Sequence, residues 1–458
     1  MSMNRRKRKK RGKRTGHQVF TVVAILLAIS CLVGLIFIVN ILSSSDGSDK
    51  SSDIGASEEK YEIRKEPIEV TSNSEDEEII NKEAENSEED KSDKDTLEEI
   101  DEEKTYSFEE EAEAILAEMS LEEKVYQLFI VTPEQLTGVG TVTAAGSSTK
   151  ESLKQYPVGG LIYLAQNLIS SEQTSEMLHN SQAFALEIEG VPLFLCIDEE
   201  GGRVARIANN SAFGIGKIKA MSEVKSSDEA YEIGSKIGAY LIDLGFNVDF
   251  APDADVLTNS ANSVIGDRSF GTEPNFVAEC AASYSDGLHG AGVLSTFKHF
   301  PGHGATADDT HQGFAYTNKT LTELKENELI PFMKAQDEGV DFIMISHISV
   351  PNILGDNTPC TLSEYMISEV LRGDLGYQGI IITDAMNMGA ITSAYSNNQA
   401  VIDAINAGAD IILSPVDFKS ASNAVIAAVK DGTVNESTID ESVKRILMKK
   451  LYIMANNG

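Results

Sequence analysis

Tryptophan is absent from the chain, and cysteine is scarce, with four residues in 458, at positions 31, 196, 280 and 360. These cysteines are too widely spaced for a Cys-x-x-Cys metal or redox pair and too few for a disulfide framework. They are expected to pack as small apolar groups; Cys196, inside the apolar run 191–197, is the clearest case. Positive charge is also short: 38 Lys and Arg stand against 72 Asp and Glu, a formal charge of −34. That balance argues against a nucleic-acid partner, because phosphate binding wants a basic face. The glycines at 201–202, 302 and 304 lack the spacing of a P-loop or dinucleotide fingerprint, and no internal repeat is visible.

The charge is unevenly placed. Residues 5–14 are almost all Lys or Arg, and 19–39 follow as an apolar run without charge. About 20 apolar residues cross a bilayer, and a cleaved signal usually has a shorter apolar region ending at a small-x-small site. The expectation is a basic cytoplasmic tail over 1–18 and a single-pass anchor over 19–41, with the chain beyond it extracytoplasmic. Secretion after signal cleavage is the alternative. Residues 42–106 are rich in Ser, Asp, Glu and Lys and nearly lack large apolar groups, so they are expected to form a disordered acidic stalk.

Globular composition begins at about residue 107. Ser120 and Glu123 form a capping box opening a helix, and strand-like runs then alternate with helical periodicity to the end. Eight runs read as strands: 128–131, 160–163, 193–198, 248–251, 293–298, 342–347, 380–384 and 410–414. Between and after them lie amphipathic segments at 171–188, 228–244, 273–288, 321–338, 362–371, 398–407, 420–429 and 439–454. This alternation predicts an α/β protein whose 107–458 domain is a (β/α)8 TIM-type barrel with insertions.

Proton-transfer groups are densest at Lys298-His299-Phe300-Pro301-Gly302-His303-Gly304, continuing to Asp309-Thr310-His311. Lys298 and His299 would end the fifth strand, and the Pro and Gly residues then force a loop. Asp309 and His311, two apart, have the spacing for a carboxylate to orient and charge-stabilise an imidazole in acid/base work. In such barrels the active site lies at the strand C-terminal ends. A census there gives Asp198, then Asp249, Asp253 and Asp255, then Lys298 and His299, then His347, and last Asp384. A polar mouth of this kind suits a polyhydroxylated ligand. No metal set or cofactor motif is apparent, although His299, His303, His311 and His347 with neighbouring acids are the residues a metal-dependent hydrolase would use.

Three ordered motifs carry a resemblance. They are Ile197-Asp198-Glu199-Glu200-Gly201-Gly202-Arg203-Val204-Ala205-Arg206, the Lys298–His311 segment, and Ile382-Thr383-Asp384-Ala385-Met386-Asn387-Met388. Together they resemble glycoside hydrolase family 3, and more narrowly its β-N-acetylglucosaminidase branch, from about residue 107 to 454. The resemblance implies a retaining exo-β-N-acetylglucosaminidase with Asp384 as nucleophile and a His311–Asp309 dyad as acid/base. It implies sugar binding by Asp198, Arg206, Arg268, Lys298 and His299, a carbohydrate substrate carrying N-acetylglucosamine, no cofactor, and a monomeric catalytic domain. Cell-wall fragments are the expected source of substrate. Another β-glycosidase of the family, or a catalytically weak wall-glycan-binding protein, is the alternative. Two positions depart from the branch: Glu199 stands where Gln is usual, and Ala305 where an Asp-Thr pair commonly follows Gly-His-Gly.

Overall fold

The computed structural model describes residues 108–306, 310 and 313–457. The tail, anchor and stalk expected over 1–106 lie outside the described residues. Among the described residues, no helix is long and apolar enough to cross a membrane.

Ten strands are present among those residues: β1 (Phe129–Val131), β2 (Gly160–Ile162), β3 (Phe194–Ile197), β4 (Glu199–Gly201), β5 (Val204–Ala205), β6 (Val248–Asp249), β7 (Thr296–Phe300), β8 (Phe342–Ile345), β9 (Ile380–Thr383) and β10 (Ile412–Leu413). Parallel pairing runs β10-β1-β2-β3-β6 in one sheet and β7-β8-β9 in another. Two parallel bridges, Val248 with Leu294 and Ile382 with Ile411, join these sheets at both edges. All strands except the β4–β5 hairpin therefore close into an eight-stranded parallel barrel, as expected. Their short apolar runs are buried throughout because the barrel covers one face and the helices cover the other. Phe194 of β3 and Phe342 of β8 meet edge to face at 5.4 Å, so side chains fill the interior.

Local chemistry fixes the helix ends. Ser120 accepts from the Glu123 N–H while Glu123 returns a bond to the Ser120 backbone, closing the expected capping box. The helices expected at 171–188, 228–244 and 398–407 are found at Ser171–Glu189, Ser227–Leu244 and Asn397–Ala407, each ended by a left-handed glycine. The helix expected over 321–338 is instead two, Leu321–Lys325 and Ile330–Asp337. Pro331 has no N–H to continue the first, and it is tolerated in the opening turn of the second. The segment expected at 362–371 is shifted to Tyr365–Asp374 and has widened π-helical turns.

The bottom of the barrel is tied by charge. Asp410 accepts from Arg445 at 3.0 Å and from Ser442 at 2.9 Å, and Asp341 pairs with Lys449 at 2.6 Å and with His289. These groups clamp the C-terminal helix Glu436–Asn457 under the strands. The opposite, C-terminal face is left to the loops that carry the polar residues of the census.

Candidate active site

The mouth begins with a hairpin absent from the sequence expectation. β4 and β5 are antiparallel and turn at Gly201 and Gly202, with φ of +90° and +54°. A Cβ at Gly201 would lie 2.6 Å from the Lys219 carbonyl oxygen, so only glycine fits. The turn returns the chain so that Asp198, Glu200 and Arg206 converge. Glu199 points the other way and is fully buried. Its carboxylate accepts from the N–H groups of Arg206 (2.5 Å), Ile207 (2.9 Å) and Ala208 (2.8 Å), and from the Tyr240 hydroxyl (2.7 Å). Burial pushes the Glu199 carboxyl up, against the pull of these donors. Glu199 thus fixes the backbone that presents Arg206.

β7 supplies the next two groups. Its register with β8 slips between Lys298 and Phe300, and such an irregularity lets successive side chains reach one cluster. Lys298 Nζ lies 2.7 Å from Glu200 Oε1 and 3.1 Å from Asp198 Oδ1, while Arg206 Nη2 is 3.4 Å from Asp198 Oδ2. Arg268 grips Glu200 with Nε at 2.8 Å and Nη2 at 2.7 Å. The same Nη2 is 3.4 Å from His299 Nε2 and 3.5 Å from Asp253 Oδ2. His299 Nδ1 is 2.8 Å from Asp255 Oδ2, and the His303 N–H donates to Asp255 Oδ1 at 2.5 Å. The charges alternate along a continuous row, which is how so many can be buried together.

The environments differ along that row. Burial alone would raise the Glu200 carboxyl, but the charges of Arg268 and Lys298 outweigh it and hold the group well below the usual carboxylate range. Burial and the neighbouring Asp255 charge push Asp253 up, to about 7, against the pull of Arg268. Burial, aided by the Arg268 charge, lowers the His299 imidazole to about 4. We therefore assign His299 as neutral: Nδ1–H donates to Asp255, and Nε2 accepts from Arg268.

Asp384 follows β9 directly. Its N–H donates to the Ile345 carbonyl at 2.8 Å, and its Oδ1 accepts from the Ala385 N–H at 2.7 Å. The carboxylate is half-buried, and its charge acts on both His299 and His303. The tertiary structure thus brings five of the expected sugar-binding residues, Asp198, Arg206, Arg268, Lys298 and His299, into one row, with Asp384 near its His299 end. Asp309 and His311 lie outside the described residues. Thr310 between them is described: its carbonyl accepts from the Ala390 N–H at 3.0 Å, and its Oγ1 is 3.2 Å from His303 Nε2.

His347 is occupied elsewhere, by Thr361 Oγ1 at 2.7 Å and the Ala385 carbonyl at 3.0 Å. Sequence reasoning gave no role to Glu200, Asp253 or Asp255, although all three lie in the motif or census; which partners they would meet was not legible. Asp253, Asp255 and His299 hold one potential ligand atom each within 4.8 Å of one another, a set that could take a divalent cation. Its charge is already met by Arg268 and by the His299 proton. A cleft of about 360 Å³ lies on the barrel flank beside Leu186, Ile242 and Met454, away from these groups.

A family model described as the N-terminal domain of glycosyl hydrolase family 3 matches residues 120–448. The chain is 33% identical over 335 residues to beta-hexosaminidase A of Pseudoalteromonas piscicida, covering 68% of this chain and 56% of that protein. It is 32% identical over 310 residues to the beta-hexosaminidase of Idiomarina loihiensis, covering 67% of this chain and 90% of the relative. Among solved structures, a glycoside hydrolase family 3 beta-N-acetylglucosaminidase from Paenibacillus sp. str. FPU-7 superposes with a TM-score of 0.68 at 35% identity, covering 74% of this chain and 64% of that one. The chain thus spans little more than half of the Pseudoalteromonas protein and under two thirds of the Paenibacillus chain.

Proposed function

The chain belongs to glycosyl hydrolase family 3, and from that premise we propose that it is a retaining exo-β-N-acetylglucosaminidase. The observation that carries this reading is the position of Asp384: a carboxylate on a rigid strand end, its charge felt by the imidazoles beside a row of buried sugar-binding charges. The names of the hexosaminidase relatives support the choice of sugar.

In this mechanism Asp384 attacks the anomeric carbon of a terminal N-acetylglucosamine and forms a glycosyl-enzyme ester. His311 gives its proton to the departing oxygen, then takes one from the water that cleaves the ester. Asp309 holds the imidazole tautomer and stabilises its charged form. A neutral base suits the second step, since it adds no negative charge beside the ester. Asp198 accepts from sugar hydroxyls, while Arg206, Lys298 and Arg268 donate to hydroxyl and acetamido oxygens. Glu200 keeps Lys298 and Arg268 apart and oriented.

The N-terminal sequence extends the proposal. A basic flank, an apolar run and an acidic stalk would hold the catalytic domain outside the cell membrane, within reach of wall fragments. External protease on intact cells would then release active enzyme; protection until the membrane is broken would reverse the orientation.

The enzymatic reading is tested at Asp384. Asp384→Ala is expected to fold normally and lose hydrolysis of an aryl N-acetylglucosaminide, while a fluorinated glycoside labels the wild-type peptide containing Asp384. Faster cleavage of the matching glucoside would move the enzyme to another branch of the family. Retained activity in the variant, or a label on another carboxylate, would remove Asp384 as nucleophile.

A further inference from the structure

We propose that His347 is a positioning residue for the nucleophile, holding the backbone beside Asp384 in register with the sugar-binding row. This rests on the reading of Asp384 as the attacking carboxylate.

His347 lies two positions beyond β8 and is fully buried. Its Nε2 is 3.0 Å from the Ala385 carbonyl oxygen. A carbonyl can only accept, so Nε2 carries a proton and donates it. On the other side of the ring, Nδ1 is 2.7 Å from Thr361 Oγ1, and that hydroxyl also lies 2.8 Å from the Ser346 carbonyl. The hydroxyl can donate to a bare Nδ1, or donate to Ser346 and accept from Nδ1–H. The bond to Ala385 therefore holds in the neutral and in the charged ring.

Ala385 sets the carboxylate. Its N–H donates to Asp384 Oδ1 at 2.7 Å, so the direction of that N–H governs how the carboxylate is turned. The next peptide is held at both ends: His347 donates to the Ala385 carbonyl, and the Met386 N–H donates to the Leu413 carbonyl of β10 at 2.9 Å. The Asp384 N–H donates to the Ile345 carbonyl of β8 at 2.8 Å. The bonds from Asp384 and Met386 run between backbones. The bond from His347 comes from a side chain, so a substitution can remove it.

His347 also ties the nucleophile to the groups that hold the sugar. Its neighbour Ser346 donates to the Phe300 carbonyl through both its N–H and its hydroxyl, each at 2.9 Å. Phe300 follows Lys298 and His299 on β7. The path from Phe300 through Ser346, His347 and Ala385 to Asp384 thus fixes one side of the reaction against the other. Attack needs the carboxylate oxygen about 3–3.5 Å from the anomeric carbon, and an error near 1 Å costs about 10²-fold in rate.

The test compares His347→Phe, His347→Asn, His347→Gln and Asp384→Ala in the full-length protein. The substrate is the dinitrophenyl N-acetylglucosaminide, whose leaving group needs no proton, so single-turnover release of dinitrophenolate reports the attack by Asp384. Binding of N-acetylglucosamine is measured separately, as competitive inhibition. Phenylalanine keeps a ring and drops the donor. Asparagine places its amide near the Nδ1 position, short of Ala385, and serves should the phenylalanine variant melt early. Both are expected to slow release roughly 10- to 100-fold, with the inhibition constant kept within roughly threefold. Glutamine, whose amide reaches the Nε2 position, is expected to recover most of the rate. Suppose Asp384→Ala abolishes release. If the phenylalanine and asparagine variants then match wild type, lose sugar binding in proportion to rate, or are not surpassed by glutamine, this inference is overturned alone. If Asp384→Ala keeps the release rate, the nucleophile reading falls, and this inference falls with it.

Discussion

Glu200 and Arg268, 68 residues apart in sequence, face each other through two parallel hydrogen bonds of 2.8 and 2.7 Å, with Lys298 on the same carboxylate at 2.7 Å. Glu200 is 1% exposed, so no water can replace it as counter-charge to the two cations. Glu200→Gln keeps the shape and removes the charge. It is expected to cost about 3–5 kcal/mol of stability, the range for a buried pair that loses one partner. It should also lower kcat/KM by about 10²-fold as Arg268 and Lys298 lose their orientation. Denaturant unfolding together with steady-state kinetics checks this, and a stable, fully active variant would refute it.

Glu199→Gln asks why a carboxylate occupies that site. All four of its contacts come from donors, and an amide NH2 placed at Oε1 would face the Ala208 N–H. The expected loss is about 1–3 kcal/mol for the unmet donor. KM should rise more than kcat falls, because Arg206 rides on the same backbone. Unchanged melting and unchanged KM would show that the loop does not depend on this charge.

Asp253 makes stability depend on pH. Its folded value, raised to about 7, lies above its ordinary value of 3.8, so the folded protein keeps a proton that the unfolded chain has lost. Stability contributed at this site is present below pH 4 and is lost as pH rises toward 7. Asp253→Asn, which stays neutral, should therefore gain on wild type in melting temperature between pH 5 and 8. Parallel melting curves across that range would show that Asp253 does not titrate there.

Gly304→Ala tests the footing of the loop. Its added Cβ would lie 2.2 Å from the Val256 carbonyl oxygen, so backbone must move. A loss of about 1–3 kcal/mol is expected, with a fall in activity as His303 shifts. Gly313→Ala, which meets nothing within 4 Å, is the control and should stay close to wild type. Equal behaviour of the two variants would mean that the turn is not tightly seated.

The sequence by itself determined the order of the eight barrel strands and of most of the helices between them, because apolar period, capping residues and glycine stops are local properties. Ser120 with Glu123, Gly190 and Gly245 all terminate helices as their types require. It also determined which residues stand at the strand ends, and its motifs were specific enough to bring Asp198, Arg206, Arg268, Lys298, His299 and Asp384 forward. The expected roles of Asp309 and His311 remain readings of sequence and resemblance. Tertiary structure alone decided what those charges meet. The closure of the barrel between Val248 and Leu294 and the grip of Arg268 on Glu200 depend on groups distant in the chain. Coulomb attraction and desolvation act through distance and burial, and neither quantity can be read along a chain before it folds.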